Sequence, residues 1–277
     1  MSGKMAYLGP QATFCEEAAR RYAAGNKWEL IPYNSIAAVF AAVQNQEVER
    51  GIVPIENSCE GSVNQTLDLL AYEFDLQIVG EIILPIKHNL LTRAGVKRDE
   101  ITRILSHPQA LAQCRKYLAA KYQEVEYVDV TSTAEAARRV AKSSEAWAAI
   151  GTVEAARSYG LVIMSQEIQD RQNNETRFVI LARESSPLVI NAKTSLVLYL
   201  PDKPGALFRT LEQFSLHDIN LTKIESRPAQ TRMGDYLFFI DIRGHQLEPP
   251  IQKALAGLKS IADEVRILGS YPAAATP

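Results

Sequence analysis

Met5-Ala6-Tyr7-Leu8-Gly9-Pro10-Gln11-Ala12-Thr13-Phe14-Cys15-Glu16 sets the pattern from which the fold is read. Residues 5–8 form a short apolar run that predicts a buried strand, and Gly9-Pro10 predicts a turn. Thr13, with Glu16 three positions later, has the spacing of a capping box and predicts a helix running to about residue 22. The pattern recurs at 30–33, where Ser35 precedes Ile36, Val39, Phe40 and Val43 at helical spacing. It recurs again at 52–55, followed by the polar loop Glu56-Asn57-Ser58-Cys59-Glu60-Gly61 and the box Ser62-Val63-Asn64-Gln65, with Val63, Leu67 and Leu70 as the buried stripe. Strands and helices alternating through short loops predict an α/β layer with a largely parallel sheet.

Farther along, 76–91 reads as a long strand or strand pair, and Glu81, Pro85 and Lys87 interrupt it too often for a membrane span. The alternation resumes with strand 103–105, helix 108–121, strand 126–130 and the box Ser132-Thr133-Ala134-Glu135 opening a helix to about 142. Strand 147–150, helix 152–159, strand 162–164 and a polar stretch then lead to Thr176 and a strand ending near 182. Two α/β units joined by one early segment and one late return predict two lobes with a cleft, and ligands in such sheets lie beyond the carboxyl ends of the strands.

Arg183-Glu184-Ser185-Ser186-Pro187 reads as a linker. Beyond it come strand 195–200, a helix with Leu207, Leu211 and Phe214, strands 219–227 and 236–242, a helix with Ile251, Leu255 and Leu258, and strand 265–268. That order is βαββαβ, a ferredoxin-like unit. Residues 247–250 and 272–277 read as punctuation and a frayed tail.

Composition narrows the classes. A chain of 277 residues, 47% hydrophobic and 22% charged, has the length for about two domains. Its formal net charge of -2, without basic runs, argues against a nucleic-acid surface. Cys15, Cys59 and Cys114 show no Cys-x-x-Cys spacing, and His88, His107, His217 and His245 show no ligand spacing, so reduced thiols and no metal are expected. Met1-Ser2-Gly3-Lys4-Met5 runs directly into Ala6-Tyr7-Leu8, which leaves no apolar core for a signal peptide and predicts a cytoplasmic chain without a membrane partner. Hydrolase, NTPase and dinucleotide motifs are missing from the sequence.

Chemistry-bearing residues gather at predicted strand ends. Capped helices and the Ser106-His107-Pro108 start put N–H groups and hydroxyls where helix dipoles favour an anion, though most caps are only caps. Gln109 and Gln113 share a helix face away from Leu111, Cys114 and Leu118, which suits either a solvated face or a cleft wall. The loop Glu56-Asn57-Ser58 follows a strand, as a ligand loop or simply a turn. In Asn173-Asn174-Glu175-Thr176-Arg177-Phe178 a hydroxyl and a guanidinium meet where polar sequence becomes a buried strand, which suits an anion; alone, the hexapeptide favours a surface strand start with a capping Thr.

Together, Tyr7-Leu8-Gly9-Pro10-Gln11-Ala12-Thr13-Phe14, the run from Val53 through Val63, Ser106-His107-Pro108-Gln109-Ala110-Leu111 through Cys114, and Asn174-Glu175-Thr176-Arg177-Phe178 resemble the prephenate dehydratase family. Gly205-Ala206-Leu207 and Glu225-Ser226-Arg227-Pro228 resemble the phenylalanine signatures of an ACT domain. Ala12 departs from the pattern, since the family usually has Gly before Thr-Phe. The resemblance implies a two-lobed α/β catalytic domain like a type II periplasmic binding protein over 1–186, with lobe one about 1–77 plus 168–186 and lobe two about 78–167. An ACT domain over 193–271 follows.

The implied reaction is decarboxylative dehydration of prephenate to phenylpyruvate, on the route to phenylalanine, without a cofactor. The resemblance makes Thr176 the catalytic residue and assigns substrate binding to Glu56, Asn57, Ser58, Ser106, Gln113, Arg177 and Phe178. Arg177 has a structural role, pairing with a carboxylate, as its rival. L-Phenylalanine is the implied effector, held near Gly205, Ala206, Leu207, Asn220, Leu221, Glu225 and Ser226, in a homodimer or a tetramer built as a dimer of dimers. Arogenate dehydratase and a non-catalytic amino-acid sensor are the competing readings.

Overall fold

The computed structural model describes residues 3–25, 27–230 and 235–274. In chain order the elements are β1 (Gly3–Leu8), α1 (Phe14–Ala23), β2 (Trp28–Tyr33), α2 (Ile36–Gln44), β3 (Arg50–Asn57), β4 (Gly61–Ser62) and α3 (Asn64–Asp68), which runs on into a π-helical turn, Leu69–Glu73. β5 (Gln77–Pro85), β6 (Asn89–Thr92), β7 (Arg103–Ser106), α4 (Pro108–Gln113), α5 (Arg115–Lys121), β8 (Glu126–Asp129), α6 (Thr133–Lys142), β9 (Trp147–Gly151), α7 (Val153–Tyr159), β10 (Val162–Ser165) and β11 (Glu175–Ala182) follow. The last unit is β12 (Ala192–Leu200), α8 (Ala206–Ser215), β13 (Leu221–Pro228), β14 (Tyr236–Arg243), α9 (Pro249–Leu258) and β15 (Glu264–Pro272). Part of the expected frayed tail, 275–277, lies outside the described residues.

The first sheet has the order β2-β1-β3-β11-β5, with β4 paired to β3. β1 and β2 run parallel, Met5 opposite Leu30. The second sheet has the order β10-β6-β9-β7-β8; β7 is parallel to β8 and β9, whereas β6 is antiparallel to β9 and β10. The expected α/β architecture is therefore present, with an antiparallel edge added to the second sheet.

Local chemistry explains where the helices begin. The Thr13 hydroxyl accepts from the Glu16 N–H at 3.4 Å and the Ser132 hydroxyl from the Glu135 N–H at 3.0 Å, as N-caps do. The Glu16 carboxylate reaches back to accept from the Ala12 N–H at 2.5 Å and also binds Arg20 at 2.6 Å, whereas Glu135 turns to Arg138 and Arg139 at 2.7 Å each. At the third expected box, Gly61 and Ser62 pair as β4 with Asn57 and Glu56 directly ahead of α3. Helix 108–121 is divided at Cys114, whose φ of −110° and ψ of 12° take it out of the helical region.

The apolar run 76–91 also divides. β5 belongs to the first sheet and β6 to the second, so the chain leaves the first sheet only after Pro85, later than the boundary expected near 78. Between them Pro85 lacks an N–H and Lys87 is exposed, while the Ile86 N–H still donates to the Asn174 carbonyl at 2.8 Å.

β12, β13, β14 and β15 form an antiparallel sheet of order β13-β14-β12-β15, the arrangement expected of a ferredoxin-like βαββαβ unit. Leu196, Leu198, Ile240 and Ile242 from the strands pack with Phe214 from α8 and Ile251, Leu255 and Leu258 from α9. β13 is an edge strand whose exposure alternates along its length.

The chain gathers into two compact units, one of Met1–Val39, Ile52–Asn64 and Ile83–Phe178, the other of Phe40–Gly51, Gln65–Ile82 and the described residues from Val179 on. Their limits differ from the sequence boundary near 186 because the C-terminal strands bond directly to 68–82. Lys193 on β12 meets the Glu81 carboxylate at 2.8 and 2.9 Å, with the Glu81 side chain only 1% exposed. Arg266 donates to the Phe74 carbonyl at 2.6 Å and the Ala71 carbonyl at 3.2 Å, and Tyr72 donates to the Pro228 carbonyl at 2.9 Å. Gly269 adopts φ +149° where a Cβ would lie 2.1 Å from the Ile78 carbonyl oxygen, so only glycine permits this approach.

Candidate active site

Within the first compact unit, a cavity of about 800 Å³ opens beyond the carboxyl ends of β1, β2, β3, β7 and β8. This is where ligands bind in open α/β sheets. Its wall brings together Thr13 and Phe14 at the start of α1, Asn57 at the end of β3, Gln109 and Gln113 on α4, Ser132 and Thr133 at the start of α6, and Thr176 and Phe178 on β11. Among the described residues, no three His, Cys, Asp or Glu side chains are grouped to hold a metal ion, and no helix is long and apolar enough to cross a membrane.

Strand alternation separates the residues of the Thr176 segment. Thr176 and Phe178 line the cavity, while Arg177 between them does not. Arg177 is buried and faces Glu56 at 3.7 Å, and Glu56 is likewise off the cavity wall.

At the centre lies a connected set of amides. Asn57 is 8% exposed and its Oδ1 accepts from the backbone N–H groups of Cys59 and Glu60 at 2.9 and 3.1 Å, which fixes the loop after β3. Its Nδ2 donates to Asn174 Oδ1 at 2.8 Å and to Thr176 Oγ1 at 2.9 Å. Asn174 Nδ2 donates in turn to Gln113 Oε1 at 2.9 Å, and Gln113 Nε2 donates to the Glu60 carboxylate at 3.1 Å. Thr176, 9% exposed, thus accepts a bond from Asn57 while its own hydroxyl proton is left for another acceptor.

Two other sequence candidates serve the framework. Ser58 donates to the Asn173 carbonyl at 3.0 Å and accepts from the Glu175 N–H at 2.9 Å, tying the loop after β3 to the start of β11. Ser106 is fully buried, and its hydroxyl is spent on the Ile150 carbonyl at 2.9 Å, joining β7 to β9 rather than facing the cavity. Gln109 and Gln113, which periodicity left between solvent and cleft, both line the cleft.

His88 and Asn174 were not assigned a role from sequence. His88 lies on the cavity wall, 25 positions from Gln113, with Nε2 at 2.9 Å from Gln113 Oε1 and its ring edge-on to Phe14 at 5.6 Å. Its only sequence signal is a polar pair, His88-Asn89, inside an apolar run. Burial pushes the His88 imidazole below its ordinary range, so it is neutral near pH 7. Burial likewise pushes the Cys15 thiol up to about 12, which keeps this lining residue an uncharged thiol.

The phenylalanine candidates occupy the C-terminal unit. Gly205, at φ 80°, is the N-cap of α8, followed by Ala206 and Leu207. Asn220 precedes β13 and Leu221 begins it; Glu225 and Ser226 lie along it, opposite Phe239 and Phe238 of β14. Glu225 pairs with Lys223 at 3.1 Å.

A strand-end cleft walled by hydroxyls, amides and aromatic rings, followed in the chain by a βαββαβ unit, defines an α/β enzyme of small-molecule chemistry with a ferredoxin-like module appended. The family model for prephenate dehydratase matches residues 5–186, and that for the ACT domain matches 194–259. A bifunctional chorismate mutase/prephenate dehydratase of Pseudomonas aeruginosa is 45% identical over 271 residues, 98% of this chain and 73% of the relative. Arogenate dehydratase 2 of Petunia hybrida is 40% identical over 288 residues, 97% of this chain and 71% of the relative. The crystal structure of prephenate dehydratase from Arthrobacter aurescens in complex with L-Phe superposes with a TM-score of 0.89 at 36% identity, covering 97% of this chain and 90% of that one. The chain belongs to the prephenate dehydratase family, lyases that carry an ACT domain.

Proposed function

We propose that Thr176 assists the departure of hydroxide as prephenate loses carbon dioxide and water to become phenylpyruvate. The single observation that carries this reading is the 2.9 Å bond that Thr176 Oγ1 accepts from Asn57, which leaves its proton for the cleft. In the reaction the ring carbon–carboxylate bond breaks and its electron pair enters the ring. The carbon–hydroxyl bond breaks at the opposite ring carbon, and the hydroxide takes up one proton to leave as water. A threonine hydroxyl is a weak acid, so a directed hydrogen bond to the developing hydroxide, strengthened by the Asn57 donor, contributes more than full proton transfer.

The substrate carboxylates are held by N–H groups at the starts of α1 and α6 and by the hydroxyls of Ser132 and Thr133, which line the cavity; the Thr13 hydroxyl is already bonded to the Pro10 carbonyl at 3.1 Å. Arg177 is assigned the structural role: it lies off the cavity wall and faces Glu56. Asn57, Gln113 and Phe178 shape the cleft; Ser58, Ser106 and Glu56 support it from behind.

L-Phenylalanine is the effector, bound by the ACT domain near Gly205 and Glu225. The Arthrobacter aurescens relative crystallised with L-Phe supports this, as does the ACT match. Arg227, in the same segment as Glu225, bonds Asp68 at 2.7 and 3.1 Å and offers a route for the signal. The proposed assembly is a homodimer or a dimer of dimers, in which a second copy covers the edge of β13; the position of β13 at the end of its sheet supports this. Catalytic boundaries of 1–186 and ACT boundaries of 193–271 fit the family matches to 5–186 and 194–259. Arogenate is the second substrate reading, favoured by the 40% identity to the Petunia enzyme.

Turnover of purified protein with prephenate and with arogenate, each with and without phenylalanine, tests all of this. Formation of phenylpyruvate from prephenate, slowed by phenylalanine, is the expected result. A protein that binds phenylalanine but converts neither substrate is a sensor, and Thr176→Val with ordinary turnover removes Thr176 from the chemistry.

A further inference from the structure

The polarity of the amide chain is fixed at one end by the backbone. The N–H groups of Cys59 and Glu60 can only donate, and both bond to Asn57 Oδ1. Asn57 therefore presents N–H to Asn174 Oδ1 at 2.8 Å and to Thr176 Oγ1 at 2.9 Å. Asn174 must then turn its own amino group to Gln113 Oε1, at 2.9 Å, while the Gln113 amino group meets the Glu60 carboxylate at 3.1 Å. Gln113 Oε1 is thus an acceptor, and the remaining group on it, His88 Nε2 at 2.9 Å, must carry the proton. The other ring nitrogen, Nδ1, is buried without a hydrogen-bond partner among the described residues. A second bond positions the backbone of His88: its N–H donates to Gln169 Oε1 at 2.9 Å.

We propose that His88 is a positioning residue of the dehydration: as the Nε2–H tautomer it supplies the second donor on Gln113 Oε1 and closes the chain through Asn174 and Asn57 that keeps the Thr176 proton directed at the leaving hydroxyl. His88 touches no reacting atom in this role. The opposite tautomer would set a lone pair against the Gln113 oxygen, and the resulting rotation of Gln113 would release Asn174. The inference rests on the reading of Thr176 as the hydrogen-bond donor.

Nitrogen NMR of the full-length protein, labelled at its histidine rings, tests the tautomer directly. A neutral His88 with a protonated Nε2 and a bare Nδ1 at pH 7 is expected; a protonated Nδ1, in either the other neutral tautomer or the imidazolium, overturns the proposal. Kinetics supply the second readout. His88→Leu keeps the volume but loses the donor, and kcat is expected to fall on the order of tenfold to a hundredfold with KM changed much less. His88→Gln places an amide N–H near the Nε2 position and is expected to recover most of that loss. Equal losses in the two variants, or a change confined to KM, overturn the proposal. Should His88→Leu fail to fold, the ring tautomer still decides. Failure of the underlying Thr176 reading shows separately, as ordinary turnover by Thr176→Val in a protein whose His88 tautomer is as expected.

Discussion

Asn57→Asp replaces one nitrogen by oxygen at nearly constant shape, and the retained Oδ1 still faces the N–H groups of Cys59 and Glu60 at 2.9 and 3.1 Å. At the other end of the side chain, two donor bonds of 2.8 and 2.9 Å, to Asn174 and Thr176, become oxygen facing oxygen. Thr176 can repair its side only by turning its proton onto the new carboxylate, away from the leaving hydroxyl. Loss of one preorganised donor at a developing anion costs about 2.7–4 kcal/mol, roughly 10²–10³ in kcat. Asn174 can repair its side only by flipping, which would break its 2.9 Å bond to Gln113. A buried acceptor left without a donor costs a further ~1–3 kcal/mol of stability. The assay is phenylpyruvate release from saturating prephenate, with a thermal melt as the folding control. Protonating the new carboxylate restores a donor, so part of the lost rate should return as the pH falls. Turnover within about threefold of the parent at neutral pH, in a folded variant, would refute the assigned direction of the chain.

Lys193→Met strips the cation from a Glu81 side chain that is 1% exposed and should cost about 3–5 kcal/mol, read as a lower melting temperature. Adding Glu81→Leu should recover most of that loss, and an unchanged melting temperature in the single variant would count against the pair. Ala12 holds a positive φ of 65° in a fully buried turn. Ala12→Gly relieves about 1–2 kcal/mol of backbone strain but forfeits roughly 0.8 kcal/mol of methyl burial and about 0.4–1 kcal/mol of unfolded-state entropy, for a net change under ~1 kcal/mol in denaturant unfolding. A loss much above that would mean that the methyl packs for more than its area. Glu135 is held down to about 2 from its ordinary 4.5 by hydrogen bonds from Arg138 and then Arg139. A depressed carboxyl stabilises the fold fully above the ordinary value and loses that contribution as the pH falls through about 2. The stability gap between the parent and Glu135→Gln should therefore close on acidification across that window, and a gap independent of pH would contradict the pairing.

The parts of the fold legible in the sequence were those set by local rules. Thr13 and Ser132 cap helices because the hydroxyl and the N–H it serves are three residues apart, and the βαββαβ order of the C-terminal unit follows from strand and helix periodicity within each segment. The largely apolar run of β5 and β6 carried no mark of which sheet each would join. Cys114 ends a helix without a glycine or proline to announce it. In the site, Asn57, Gln113, Thr176 and Phe178 were named from the family pattern, and all four line the cleft. The connections among them were not legible, since Asn57 reaches a partner 119 positions away and His88 one 25 positions away. For Ser106 and Arg177 the sequence did not show the long-range partners, the Ile150 carbonyl at 2.9 Å and the Glu56 carboxylate at 3.7 Å.

The place of β11 between β3 and β5 sets an order of events during synthesis. β5 ends at Pro85, whereas β11 begins only at Glu175, after the entire second sheet has been made. At ~5–20 residues per second a ribosome spends roughly 5–18 s on the intervening stretch. For that time β3 has an unpaired edge, and β5, whose neighbour in the sheet is β11, has no strand of that sheet to pair with. The strand that joins them also carries Thr176 and Phe178. Completion of the sheet and arrival of the hydroxyl proposed for catalysis are therefore one event, and a chain released before it can have neither.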